Sequence, residues 1–151
     1  MKLFICEKPS QARDIAPHIG ARQRGEGCFT GPGVTVTWCV GHLLEQAKPE
    51  HYVPELRYWD INLLPVIPER WQLDVKGSCK SQYRVVADLM KSASEVVIAT
   101  DADREGEVIA REVMDRARYK GPVRRLWLGA LDDASIKTAL GKLQPGDKTL
   151  P

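Results

Sequence analysis

The chain predicts an α/β domain: a central, mostly parallel sheet flanked by helices, with an irregular proline-rich insertion. Three observations carry this. Apolar runs at about 2–6, 95–100 and 123–128 have the length of buried strands, and each leads into a stretch whose apolar residues recur at helical spacing. Strands alternating with helices pair in parallel through right-handed crossovers. Between the first two units, Pro49, Pro54, Pro65 and Pro68 break any long element across residues 41–78.

Met1-Lys2-Leu3-Phe4-Ile5-Cys6 reads as the first buried strand and runs straight into Glu7-Lys8-Pro9-Ser10. A helix follows, with Ala12, Ile15, Ala16 and Ile19 on one face and Pro9 near its first turn, where the missing N–H does no harm. Val34, Val36, Trp38 and Val40 alternate with Thr35, Thr37 and Cys39, the period-2 signature of a half-buried strand. After the insertion, Tyr83, Val86, Ala87 and Met90 repeat the helical stripe ahead of the strand that ends in Val96-Val97-Ile98-Ala99. Arg125-Leu126-Trp127-Leu128 closes the third strand, and Ile136, Ala139, Leu140 and Leu143 mark a last helix capped at Asp132 or Asp133. There is no internal repeat and no low-complexity segment.

Composition agrees with one domain over residues 1–151. A chain of 151 residues buries roughly 68–70% of its unfolded surface, enough for one core without staples. No apolar run approaches the ~20 residues of a membrane span, and the N-terminal run meets acids and Pro9 too soon for a signal peptide. Cys6, Cys28, Cys39 and Cys79 show no Cys-x-x-Cys spacing, which argues against a zinc ribbon or a redox pair and fits reduced thiols in the cytoplasm. With 22 basic and 20 acidic residues the net charge is only +2, so bulk electrostatics do not announce nucleic acid. Arg22 with Arg24, and Arg116, Arg118, Lys120, Arg124 and Arg125, form clusters; spaced charges on helices are more often solvated faces, and the second cluster is open between such a face and a DNA contact. That balance suits a domain meeting one phosphate at a focused site.

Asp101-Ala102-Asp103-Arg104-Glu105-Gly106-Glu107 is the most chemically specific segment. Asp101, Asp103 and Glu105 stand at alternate positions on the turn where a strand ends and a helix begins, with Arg104 set between them. Carboxylates this close repel, and a hard divalent cation compensates them; Mg²⁺ is typically held by one or two carboxylates plus waters and substrate phosphate. An acidic helix N-terminus, favoured by the helix dipole, explains one or two of these acids. Glu7 and Lys8 also lie at a strand's carboxyl end, where open α/β sheets bind their ligands. Neighbouring parallel strands put an acid, an ammonium and a metal site in one crevice.

Phe4-Ile5-Cys6-Glu7-Lys8-Pro9-Ser10, Gly41-His42-Leu43-Leu44-Glu45 and the acidic segment at 101–107 resemble, in order and spacing, the Toprim (Rossmann-like) domain that opens type IA DNA topoisomerases, the bacterial topoisomerase III branch above all. The resemblance runs over nearly the whole chain, including Leu63-Leu64-Pro65, Pro68-Glu69-Arg70-Trp71 and Arg125-Leu126-Trp127-Leu128. The acidic motif alone also suits Toprim nucleases and primases; the Gly41 segment narrows the likeness to topoisomerases. A non-catalytic Toprim scaffold need not keep Glu7, Lys8 and all three acids. Ala102 stands where related enzymes often carry Pro or Leu, and Cys6 where a small apolar residue is usual.

What the resemblance implies is specific. Asp101, Asp103 and Glu105 hold Mg²⁺, Lys8 contacts the scissile phosphate, and Glu7 either donates a proton to the departing 3′-oxygen or joins the metal shell. Those two roles of Glu7 compete, because a bound cation favours the charged carboxylate. Lys8, His42, Trp59 and Arg104 are the residues expected against a single-stranded DNA segment. The family's attacking tyrosine lies in a later domain; Tyr52, Tyr58, Tyr83 and Tyr119 are the four tyrosines here, and none matches its segment. The chain, ending at Gly146-Asp147-Lys148-Thr149-Leu150-Pro151, therefore reads as a domain of a longer, cytoplasmic bacterial enzyme acting on nucleoid or plasmid DNA, inactive without its remaining domains.

The insertion's aromatics divide. Tyr52, Tyr58 and Trp71 are expected to pin the loop to the domain, while Trp59 is open between packing and base stacking. His42 is open in the same way between a structural role and DNA.

Overall fold

The computed structural model describes residues 1–149; the expected domain boundary at Pro151 lies outside the described residues. The first strand, β1 (Lys2–Cys6), lies at the centre of a seven-stranded sheet. Helix α1 (Pro9–Ile15), continued by a 3-10 turn at Ala16–Ile19, leads to β2 (Gln23–Gly25), β3 (Cys28–Gly31) and β4 (Val34–Trp38). The insertion carries β5 (Leu44–Gln46), α2 (Pro49–Tyr52) and β6 (Leu73–Val75). Then come α3 (Lys80–Ser92), β7 (Glu95–Ala99), α4 (Arg104–Arg116), β8 (Val123–Arg125), α5 (Asp133–Leu140) and β9 (Gln144–Pro145).

The strand order is β2-β3-β4-β1-β7-β8-β9. Its centre, β4-β1-β7-β8, is parallel throughout, whereas β2, β3 and β9 attach antiparallel at the edges. Alternation along the central strands divides the core between two faces. Leu3, Ile5, Val96 and Ile98 pack with Val86 and Met90 of α3 and Ile109 and Val113 of α4. Phe4, Cys6, Val97 and Ala99 face Ala12 and Ile15 of α1 and Ile136 of α5. Both faces of a parallel sheet are covered, so its strands read as unbroken apolar runs.

β4 departs from the half-buried expectation. Thr35 and Thr37 are as buried as Val36, because α1 and α3 cover opposite faces of this strand. Their hydroxyls are satisfied internally: Thr37 Oγ1 donates to the Gly27 carbonyl at 2.8 Å, and Thr35 Oγ1 points at the Met1 sulfur at 3.1 Å. The third core strand ends at Arg125 rather than 128; Leu126 makes one further bond to the Ile98 carbonyl before the chain turns into the α5 face.

The insertion is closed at its neck by the antiparallel pair β5–β6. Tyr52 pins it as expected, its hydroxyl accepting from the Gln72 N–H at 2.7 Å. Trp71 meets the Tyr52 ring edge to face at 5.9 Å, although 54% of it stays exposed. Tyr58 does not pack: it lies between two 3-10 turns and is 79% exposed, because Leu56 takes the buried position of that stretch. All four cysteines are free and buried, and burial pushes the Cys39 thiol up to about 12. Among the described residues no helix is long and apolar enough to cross a membrane.

Candidate active site

β1 and β7 are neighbours in register, Cys6 opposite Ala99, so the residues that follow each strand emerge side by side. From β1 the chain turns towards the β4 side of the sheet, and from β7 towards β8. Connections diverging from adjacent parallel strands open a crevice at their carboxyl ends. Glu7, Lys8 and Asp101 meet there.

Glu7 is buried, and its Oε2 accepts from the Asp101 N–H at 3.3 Å. Lys8 is exposed, yet its Nζ lies 3.1 Å from Asp101 Oδ2 and 3.4 Å from Glu7 Oε1. The hydrogen bond to Asp101, then the charges of Asp101 and Glu7, raise the Lys8 pKa above its ordinary value. Gln11 completes the cluster. Its Oε1 accepts from the Glu7 N–H at 2.8 Å while its Nε2 donates to Asp101 Oδ1 at 3.0 Å, and the side chain is buried. Nothing in the motif reading singled out Gln11; its position four residues after Glu7, on the face of α1 turned to the sheet, was the available signal.

The other predicted residues are placed separately. Asp103 is the N-cap of α4, its Oδ1 accepting from the Gly106 N–H at 2.7 Å. Arg104 and Glu105 are exposed in the first turn of that helix. Among the described residues no three His, Cys, Asp or Glu side chains converge as a metal cage. His42 follows Gly41, which takes a left-handed φ of 71° beside the Glu7 carbonyl. The imidazole turns to α4, Nδ1 lying 3.1 Å from Glu112 Oε2. Trp59 is 74% exposed on the insertion, apart from this cluster's contacts.

Beneath the crevice lies a charged network that motif reading missed. Arg125, expected with its neighbours on an exposed face, is fully buried. Its Nη1 donates to the carbonyls of Thr100 at 2.8 Å and Ile98 at 3.2 Å, and its Nη2 to that of Asp101 at 2.6 Å. Arg125 Nε and Glu107 Oε2 are 3.0 Å apart, but the N–H misses the oxygen, so this is an ion pair without an aligned hydrogen bond. Burial pushes the Arg125 pKa down and Glu107 opposes it. Arg111 and Thr149 both donate to Glu107 Oε1, at 2.8 and 3.0 Å. Gly106 lets α4 start this close: a Cβ there would run into the backbone of Asp101. The period-2 step from the partly buried Val123 to Arg125 was the one local hint that Arg125 points inward.

A parallel α/β domain whose carboxyl-end crevice joins Glu-Lys to an Asp-x-Asp-x-Glu turn belongs to a definite class. The Toprim domain family model matches residues 2–129, and the chain belongs to the Toprim domain family. It is 41% identical over 149 residues to DNA topoisomerase 3 of Shouchella clausii and 40% identical over 146 residues to that of Bacillus anthracis. These alignments cover 97% and 95% of this chain, which spans about a fifth of the length of those relatives. Among solved structures, full-length topoisomerase I from Thermotoga maritima superposes with a TM-score of 0.62 at 19% identity, covering 97% of this chain and 21% of that one.

Proposed function

We propose that the chain is the Toprim domain of a topoisomerase III-like type IA enzyme, supplying the magnesium site and acid–base group for cleavage and religation of one DNA strand by a tyrosine on another domain. The observation that carries this reading is the Lys8 ammonium held between Glu7 and Asp101 at the carboxyl ends of β1 and β7. The relatives' names support it; so do their extra length, which leaves room for the other domains, and their bacterial sources, which fit a cytoplasmic site of action on nucleoid or plasmid DNA.

The donor set fits magnesium. Every candidate ligand is a hard oxygen: Asp103, which commits only Oδ1 to its cap, the exposed Glu105, Asp101 and Glu7. Asp101 is already engaged by Lys8 and Gln11, which suits an ion completed by waters and a substrate phosphate rather than by an all-protein cage. Bound magnesium neutralises charge on the non-bridging phosphate oxygens. Lys8, exposed and kept protonated by its two carboxylate neighbours, meets the same phosphate as a compact point charge. Glu7, buried beside it, when protonated gives its proton to the 3′-oxygen on cleavage and takes it back on religation; as a carboxylate it is instead a ligand of the metal. Gln11 fixes the separation of Glu7 and Asp101. Arg104, His42 and Trp59 border the path of the single strand.

The test uses the full-length enzyme in single-turnover cleavage of a labelled oligonucleotide across a Mg²⁺ series. Glu7→Gln should slow cleavage by something like the ~10²–10⁴ typical of acid–base catalysis, with no recovery at high metal. Asp103→Asn keeps a good N-cap, so its deficit reports metal and should be partly rescued by more of it. Full metal rescue of Glu7→Gln recasts Glu7 as a ligand, and unchanged cleavage in both variants removes the crevice from the chemistry.

A further inference from the structure

We propose that the outer surface of α3 and the C-terminal end of α4 form a second nucleic-acid contact, one that grips a sugar–phosphate backbone away from the acidic crevice. Three shallow clefts lie there and share walls. The first, about 410 Å³, is lined by Arg70, Arg116 and Arg118 with Trp71. The second, about 480 Å³, shares Arg116 and adds Lys80, Arg84 and Lys91 around Tyr83. The third, about 280 Å³, shares Lys91 and Arg118 and adds Lys120.

Seven cations therefore line one continuous track against three carboxylates, Asp88, Glu112 and Asp115. Two of those acids are already engaged, Asp88 by Lys91 at 2.7 Å and Glu112 by His42 at 3.1 Å. The excess is four positive charges on a chain whose net charge is +2, so the rest of the molecule is net negative and this face is where a polyanion is drawn. Small-molecule pockets of similar volume are mostly apolar, whereas these walls are charged and the cations exposed. Four of the seven are arginines, whose planar forks match phosphate oxygens, and Trp71 and Tyr83 stand among them as surfaces for a base or sugar.

The direction of the track also favours a strand over a single anion. α3 precedes β7 and α4 follows it, so both helices run from the crevice edge of the sheet to the opposite edge. Lys80 starts at the crevice edge; Lys91, Arg116 and Arg118 lie at the far one. A strand on this face leads away from Asp101 rather than into it.

The proposal rests on the DNA-handling reading above, and its test separates the two. Binding of a labelled oligothymidylate to this chain is followed by anisotropy across a salt series, for wild type, Arg84→Gln/Arg116→Gln/Arg118→Gln, the same three sites changed to Lys, and Lys8→Gln. Each single-strand phosphate contact contributes about 0.7 to the slope of log K against log salt, so the Gln set should flatten the slope by about 2 and the Lys set should retain it. Lys8→Gln should remove about 0.7 at most. A Gln set with wild-type slope and affinity overturns the track while leaving the crevice reading intact, and so does a wild-type chain that binds no oligonucleotide at low salt but still shows Mg²⁺-dependent amide shifts around Asp101. Competition by polyglutamate as strong as by DNA of equal charge reassigns the face to an acidic protein and overturns the nucleic-acid assignment.

Discussion

At the residue scale the Glu107–Arg125 pair shows how much of this turn rests on one buried cation. Removing one partner of a buried ion pair costs about 3–5 kcal/mol, and although Arg111 still pairs with Glu107, losing Arg125 also strips three buried carbonyls of their donor. Arg125→Met should lower stability by that order in urea unfolding. Adding Glu107→Leu should recover only part of it, since the carbonyls of Ile98, Thr100 and Asp101 still lack their donor. Full recovery in the double variant would mean those carbonyls find other partners at no cost. Gly106→Ala is a sharper case. In an ordinary helix the change gains up to about 1 kcal/mol, but here the added methyl meets the Asp101 backbone and should cost about 1–3 kcal/mol; an unchanged urea midpoint would refute the close approach. Lys8 supplies a pH test. Its folded pKa is raised above 10.5, so its contribution is present at and below the ordinary lysine pKa and is lost as pH rises through the folded value. The Lys8 Cε proton shifts should titrate above 10.5 in wild type, and Asp101→Asn should move that midpoint down.

Elements show where local signals were sufficient. α5 begins where an Asx cap was expected: Asp132 Oδ1 accepts from Ala134 and Ser135 at 3.1 and 3.0 Å. Hydrogen bonding, chiefly from Ser135, lowers the Asp132 pKa below 3.8. A depressed carboxyl stabilises above its unfolded value and loses that contribution as pH falls through the folded one. Asp132→Ala should therefore unfold earlier than wild type at neutral pH, with the gap narrowing as pH drops below 3.8; a gap independent of pH would point to helix propensity instead of the cap. The edge strands were less legible. β2, β3 and β9 are two to four residues long, too short for alternation to register, and they exist because the sheet's edges offer them backbone partners. The β5–β6 neck was hidden for the same reason, among prolines that correctly announced broken structure.

For the whole molecule, the arrangement separates a site from the group it is proposed to serve. Tyr52 and Tyr119 spend their hydroxyls on Gln72 and Pro122, Tyr83 is partly buried against the core, and Tyr58 alone is largely exposed, on the insertion. This chain by itself should neither relax supercoiled plasmid nor trap a covalent DNA adduct in denaturant. Relaxation lost on Tyr58→Phe would overturn that expectation. Magnesium should bind the isolated chain weakly, because few carboxylates face the crevice without a phosphate to complete the shell. Amide NMR signals of Glu7 and residues 101–107 should move in a Mg²⁺ titration and stay still in Asp101→Asn/Asp103→Asn; shifts of equal size in both proteins would refute a site there.

The sequence by itself determined the central strands, expected at about 2–6 and 95–100 and found at 2–6 and 95–99, the helices that follow them, and the position of Glu7, Lys8 and Asp101 at strand ends, because each depends on periodicity or capping within a few residues. Tertiary structure decided which of those groups act together. Lys8 and Asp101 lie 93 residues apart, and only the in-register pairing of β1 with β7 sets their side chains 3.1 Å from each other. The same pairing enlisted Gln11, which bridges Glu7 and Asp101, while the pairing of β7 with β8 turned Arg125 from surface to core; the Asp103 cap, by contrast, is local to the first turn of α4. Burial and register are properties of the whole sheet, and a charged side chain's role follows from what surrounds it rather than from its neighbours along the chain.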